Sequence, residues 1–194
     1  VWILSKRGLK MNYETKNDFR QKSIKRLKLC SRRNKLKKDK EIVQNILKTI
    51  EYEGGKNILL YLPLGMEVDV RSLFLKLRKK GYKLFVPFMV GETLKIVPYR
   101  LPLKKKKYNI FEPNNSELGK RFRLDIALVP VVGVDSMLKR IGFGAGFYDR
   151  FFDSLGYKPK IIFTQLCLCK SKKILSEPHD IKGDWIVTNK GIMK

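Results

Sequence analysis

Between residues 14 and 53 the apolar positions return at three- and four-residue steps: Phe19, Ile24 and Leu27, then Ile42, Val43, Ile46, Leu47 and Ile50, with charged residues between them. That period lines one stripe of a helix and predicts two amphipathic helices, joined by the basic stretch 31–40. The pattern then changes. Residues 57–64 form a nearly continuous apolar run between Gly54-Gly55 and Pro63-Leu64-Gly65, the signature of a strand buried on both faces. Residues 70–80 read as a helix stopped by Gly81, and 83–88 and 93–99 as two strands around a Gly91-Glu92 turn. A loop with the turn signal Glu112-Pro113-Asn114-Asn115 follows, then a strand at 126–132, a helix at 147–155, and strands at 160–166 and 185–188. Such alternation predicts an α/β fold with a largely parallel sheet and helices on both faces. Its ligand site is expected beyond the carboxyl ends of the strands.

Composition narrows this picture only a little. With 194 residues, 43% of them hydrophobic, the chain can bury one proper core, so residues 14–194 are expected to form a single domain. Residues 1–13 are expected to be a disordered extension, because the opening VWIL is too short for a signal peptide. No apolar run reaches the roughly 20 residues of a membrane helix, so no membrane partner is expected. The net charge of +25 would attract phosphate-bearing partners of any size, yet runs such as Lys35–Lys40 and Lys104–Lys107 read equally well as solvated surface. The aromatic residues lie mostly inside apolar runs instead of among the basic patches, which counts against a nucleic-acid stacking platform. Three cysteines, Cys30, Cys167 and Cys169, make an odd number without a regular framework and point to a reducing compartment, the cytoplasm. One histidine, His179, and the tight Cys167–Cys169 spacing argue against a structural zinc site.

The chemistry concentrates in three places. Residues 140–150, RIGFGAGFYDR, lie between a predicted strand and a helix. Gly142, Gly144 and Gly146 clear side chains from one rim, so that backbone N–H groups can close on an anion. The loop is neither a dinucleotide fingerprint, which needs glycine where Phe147 stands, nor a P-loop, and by itself it could be an ordinary glycine-rich turn. Arg140 and Arg150 flank it. Asp149 either pairs with a neighbouring arginine or shares a cation with a phosphate, since a bare carboxylate beside a phosphate costs about 4 kcal/mol per close charge pair at an effective dielectric of about 20. Magnesium suits that bridging role. The second place is EPHDIKGD, residues 177–184, at the entry to the last strand, where His179 alone reads as an ordinary surface or packed histidine. The third is PLGMEVD, residues 63–69, at the carboxyl end of the first strand. There Glu67 is suited to accept hydrogen bonds from an amino-heterocycle, and Asp69 to cap the next helix.

In order along the chain, Lys16 with Arg20, PLGMEVD, Glu112-Pro113, RIGFGAGFYDR and EPHDIKGD resemble the 5-formyltetrahydrofolate cyclo-ligases, also called methenyltetrahydrofolate synthetases. The likeness runs from Lys16 to Asp184, with Phe147 where the family usually has the first of two tyrosines. The resemblance implies a three-layer α/β/α sandwich of the ribose-phosphate isomerase and CoA transferase type. It implies a small-molecule substrate, 5-formyltetrahydrofolate, used with ATP and Mg2+, and no specific nucleic-acid partner; a monomer is expected. By that likeness Lys16, Asn17, Asp18, Phe19 and Arg20, together with Arg140, Ile141, Gly142, Phe143, Gly144, Ala145, Gly146, Phe147 and Tyr148, hold ATP. Leu62, Glu67, Phe143, Gly144, Ala145, Gly146 and Phe147 contact the folate, and Asp149 and Asp180 hold magnesium. The implied chemistry asks for positioning and charge neutralisation, so Lys16, Arg20 and Arg140 are the expected catalytic residues and no protein nucleophile is required. The lysine run 104–107 is a candidate contact for a polyglutamate tail.

Overall fold

The computed structural model describes residues 14–91, 93–105, 111–113 and 122–194. In chain order its elements are α1 (Lys16–Ser31), α2 (Lys35–Glu53), β1 (Asn57–Leu59), α3 (Arg71–Lys79), β2 (Lys83–Val90), β3 (Thr93–Pro98), β4 (Leu103–Lys105), β5 (Phe111–Pro113), β6 (Ile126–Pro130), β7 (Gly133–Val134), β8 (Arg140–Ile141), α4 (Phe147–Asp153), β9 (Lys160–Thr164), β10 (Trp185–Thr188) and β11 (Gly191–Met193). Residues 1–13, Glu92, Asn114, Asn115, Lys106 and Lys107, on which sequence expectations were placed, lie outside the described residues.

Seven strands form one sheet in the order β11-β10-β9-β6-β1-β2-β3. The inner five are parallel, while β3 and β11 run antiparallel at the two edges. The apolar runs explain the parallel part, because strands covered on both faces have no polar side to show. Ile58, Leu60, Leu84, Val86, Ile126, Leu128, Ile162 and Val187 join a core closed by α1, α2 and α3. The alternate residues Leu59, Phe85, Ala127, Val129, Ile161, Phe163 and Ile186 join a second core closed by Phe151 and Phe152 of α4. Each fully buried Leu, Ile or Val contributes roughly 1.5–3 kcal/mol. The result is the expected α/β fold with helices on both faces of a mostly parallel sheet.

Local differences from the sequence reading have physical causes. The basic stretch 31–40 is not a linker: Asn34, at φ 49°, turns the chain within three residues and α2 begins at Lys35. Lysine is a good helix former, and Lys35 pairs with Asp39 one turn later at 2.7 Å. The run 57–64 is a strand only to Leu59, although the Leu60 N–H still reaches the Phe85 carbonyl at 2.9 Å. The apolar run continues because Leu60 and Tyr61 stay buried as the chain turns toward the site. A disulfide joins Cys30, near the end of α1, to Cys167, while Cys169 is a buried free thiol. The odd cysteine count gave no sign of that bond, whose partners are 137 residues apart in sequence. Among the described residues no helix is long and apolar enough to cross a membrane.

Candidate active site

α1 delivers its first turn to the carboxyl end of the sheet through two local devices. Thr15 and Asp18 form a capping box, in which the Asp18 N–H donates to Thr15 Oγ1 and the Thr15 N–H donates to Asp18 Oδ2, each at 3.1 Å. Phe19 seats the helix: its ring lies so close to Gly133 that any Cβ there would collide with it. Lys16 and Arg20, one turn apart, then face the loops that follow β8 and precede β10. The Lys16 ammonium donates to Asp180 Oδ2 at 2.6 Å. Arg20 Nε donates to the Gly142 carbonyl at 2.9 Å and its Nη1 to Asn17 Oδ1 at 3.0 Å. Asp18 and Phe19 therefore spend their side chains on the cap and the core, and Ile141 is fully buried.

Two readings of Asp149 were open in the sequence, and here it pairs with arginine. Arg140 holds it from Nε at 3.2 Å and Nη2 at 2.6 Å, and both side chains are only 7% exposed. Burial would push the Asp149 carboxyl up, but the hydrogen bonds and charge of Arg140, helped by the Ile181 N–H and Lys16, hold it below its usual value. The same Ile181 N–H, at 3.3 Å from Asp149 Oδ1, sets Asp180 next in sequence beside the pair. Asp180 Oδ2 also takes the Glu177 N–H at 2.7 Å, whereas its Oδ1 accepts no hydrogen bond among the described residues. His179 is exposed and lies 3.1 Å from Glu177 Oε2, the oxygen that also meets Lys16 at 3.5 Å.

The glycine loop joins the two parts of the site. Gly142 has no room for a Cβ because the Arg140 guanidinium lies over it, and Gly144 sits at φ +113°, which a side chain resists. Gly142 is thus cleared for an arginine of the protein itself, not for a ligand. The N–H groups of Phe143, Gly144, Ala145 and Gly146 donate no hydrogen bond among the described residues. Unpaired donors on a basic rim can receive an anion. Arg150 curls back to the Ala145 carbonyl at 2.9 Å.

On the other side of this loop lies an apolar cavity of about 140 Å³. It is lined by Leu62, Glu67, Phe143, Ala145, Gly146 and Phe147, all expected at the substrate, together with Tyr148 and Arg140. Tyr61, Leu64, Pro87, Met89, Leu94 and Pro130 complete its walls. Those residues were missed because their signal is only hydrophobic; they line the cavity because they end β1 and β6 or flank the β2–β3 turn. Glu67 is the one carboxylate in the lining. Its Oε2 accepts the Leu64 N–H at 2.7 Å, and burial pushes its carboxyl up to about 7 against the pull of that N–H and of Lys35. Tyr148 is pushed well above its usual value by burial and by Glu67 nearby. Asp69 stays outside, where it accepts the Arg71 N–H at the start of α3 and pairs with the Arg71 guanidinium.

A charged cluster and an apolar cavity thus share one glycine loop. The model of the 5-formyltetrahydrofolate cyclo-ligase family matches residues 12–189. The chain belongs to this family. Among curated cyclo-ligases, the one from Haemophilus influenzae is 28% identical over 149 residues, covering 73% of this chain and 79% of that protein. The mouse cyclo-ligase is 22% identical over 187 residues, covering 89% and 92%. Of solved structures, the 5,10-methenyltetrahydrofolate synthetase of Mycoplasma pneumoniae superposes with a TM-score of 0.66 at 25% identity, covering 89% of this chain and 97% of that one. The synthetase of Aquifex aeolicus shares the fold, with a TM-score of 0.73 at 24% identity and 92% of each chain covered. The fold of this cyclo-ligase family member brings Lys16, Arg20, Arg140, Asp149 and Asp180 together, and puts Leu62, Glu67 and Phe147 in the adjoining cavity. Of the remaining sequence candidates, Lys104 lies on β4, in a separate two-stranded ribbon with β5.

Proposed function

We propose that the chain converts 5-formyltetrahydrofolate into 5,10-methenyltetrahydrofolate, using ATP and releasing ADP and phosphate. The observation that carries the reading is a junction: among the described residues, a cavity whose lining holds one carboxylate, Glu67, lies on one side of the glycine loop, and Lys16, Arg20 and Arg140 with Asp149 and Asp180 lie on the other. A formyl group on nitrogen is an amide, whose oxygen is a poor leaving group. Transfer of the γ-phosphoryl group to that oxygen breaks the bond to ADP and makes the oxygen part of a phosphate. N10 then attacks the carbon and gives up its proton to solvent or the departing phosphate, the C–O bond breaks, and phosphate leaves as the ring closes.

This sequence asks the protein for placement and charge, and the residues present suit it. Glu67 accepts hydrogen bonds from the amino-heterocycle while Leu62, Phe143 and Phe147 cover its ring. Lys16, Arg20, Arg140 and the free N–H groups of residues 143–146 receive the phosphates. A divalent cation would be held by these two carboxylates: among the described residues Asp180 Oδ1 accepts no hydrogen bond and Asp149 Oδ2 accepts one. Among the described residues no three His, Cys, Asp or Glu side chains form a metal cage; magnesium is commonly held by one or two carboxylates, with phosphate and water supplying the rest. When bound, it supplies neutralisation of the phosphate charge.

The test is absorbance. Protein mixed with 5-formyltetrahydrofolate, ATP and Mg2+ is expected to raise the near-ultraviolet band of the methenyl product, with one ADP per product formed. ATP turnover without that band would move the function to another acceptor.

A further inference from the structure

Asp135 is fully buried between β7 and β8, and the reaction scheme gives it no role. Its carboxylate collects five donors, none of them a cation. Oδ1 accepts the N–H groups of Met137 at 2.9 Å and Lys139 at 3.0 Å, which folds residues 135–139 into a closed turn. Oδ2 accepts the Leu175 N–H at 3.2 Å, the Ser176 N–H at 3.1 Å and the Ser176 hydroxyl at 2.6 Å. Burial opposes its charge, but the Ser176 hydroxyl and the backbone N–H groups of Lys139, Ser176 and Leu175 hold the carboxyl below its usual value, so it stays an acceptor at neutral pH.

The two segments gripped by this one side chain are the stems of the charged half of the site. The turn at 135–139 runs directly into Arg140, which binds Asp149. The segment 175–176 runs into Glu177 and Asp180, which meet Lys16. Further bonds cross between the stems. Lys139 donates from Nζ to the carbonyls of Glu177 at 2.9 Å and Pro178 at 3.1 Å, the Arg140 N–H reaches the Ile181 carbonyl at 2.8 Å, and the Gly183 N–H reaches the Leu138 carbonyl at 3.0 Å. We infer that Asp135 is a positioning residue that sets the spacing between the Arg140–Asp149 pair and the Asp180–Lys16 pair, and so tunes nucleotide binding without touching the nucleotide. Only an ionised carboxylate suits the place, because five donors converge on two oxygens and an amide would turn an NH2 group toward one of the two sets.

The inference rests on the proposed ATP site, and the test separates the two. Nucleotide and 5-formyltetrahydrofolate are titrated separately into wild type, Asp135→Asn and Ser176→Ala, with thermal melting alongside. For Asp135→Asn, affinity for ATP with Mg2+ is expected to fall about tenfold or more, the worth of one lost hydrogen bond to a charged group, while folate affinity changes by less than about threefold. Ser176→Ala keeps the carboxylate and removes a single donor, so it is expected to shift nucleotide affinity alone, by about threefold; it decides the matter if Asp135→Asn does not fold. Equal weakening of both ligands in step with the melting temperature, or no change in either, would overturn the positioning role. Wild-type protein that binds no nucleotide would overturn the ATP reading itself, and the role of Asp135 with it.

Discussion

The charged half and the apolar half of this site are built in opposite ways. On the charged side every formal charge has a partner already: Lys16 with Asp180, Arg140 with Asp149, Arg20 with the Gly142 carbonyl. On the apolar side, among the described residues, Glu67 has one backbone donor and no cation in hydrogen-bonding range, in a cavity whose burial pushes its carboxyl up to about 7. In the proposed reading the first region holds the counter-charges for phosphate engaged in internal contacts. The second holds a carboxylate ready to receive a hydrogen-bond donor.

The largest effect should come from splitting the buried pair. Arg140→Ala leaves Asp149 buried without its cation partner, with only the Ile181 N–H still donating to it, at a cost of about 3–5 kcal/mol, and removes the proposed phosphate contact, worth about 100-fold or more in kcat. The double variant Arg140→Ala with Asp149→Ala is expected to regain much of the stability in a melting experiment but none of the activity. If the single variant melts like wild type, the pair is not the buried unit described here.

Next in size is the exchange at Lys16. If its ammonium stands in for a cation at Asp180, Lys16→Ala should weaken ATP binding about tenfold yet strengthen binding of Mn2+ in the absence of nucleotide, read by electron paramagnetic resonance. Loss of both affinities would mean that Lys16 builds the carboxylate site instead of blocking it.

The apolar half predicts a pH effect of the opposite kind from that of a paired acid. A carboxyl raised to about 7 contributes stability that is complete below its ordinary value near 4.5 and is lost as the pH rises through about 7. Glu67→Gln should therefore melt higher than wild type at pH 8, by on the order of 1–3 kcal/mol, and like it at pH 4. The same change should raise KM for the folate about tenfold while leaving KM for ATP within about twofold. A pH-independent difference in melting would place Glu67 in solvent.

The two halves also differed in how much the sequence revealed. In the charged half Arg140, Asp149 and the loop glycines stood out by type and spacing, whereas Lys16, Arg20 and Asp180 were expected only through the resemblance to the family. What could not be read was the pairing, since Asp149 beside two arginines, Arg140 and Arg150, allows either partner and only the fold selects Arg140. The apolar half was legible through Glu67 and Phe147 but not through Tyr61, Met89 or Pro130, which look like any strand residues until the sheet ends beneath them. Asp135 gave no signal either: a lone acid in a turn becomes distinctive only when residues 175 and 176, forty positions away, fold onto it. Similarly, periodicity predicted the helices and most of the strands, whereas the Asn34 turn was hidden in a run of lysines, which state a preference for helix and a charge but no boundary.

The smallest effect concerns Phe147. Phe147→Tyr restores the hydroxyl common in the family at the cavity wall, and affinity for the folate should change by no more than about threefold. A much larger gain would mean that a polar group of the ligand is left unpaired at this wall.

In the proposed reaction the charged half delivers phosphate to the oxygen of the group held in the apolar half, a transfer that oxygen labelling reports. With 5-formyltetrahydrofolate carrying 18O in its formyl group, ATP and Mg2+, each phosphate released is expected to carry one 18O atom, measured by mass spectrometry. Phosphate without label, with the 18O recovered in water while the methenyl product still forms, would contradict it.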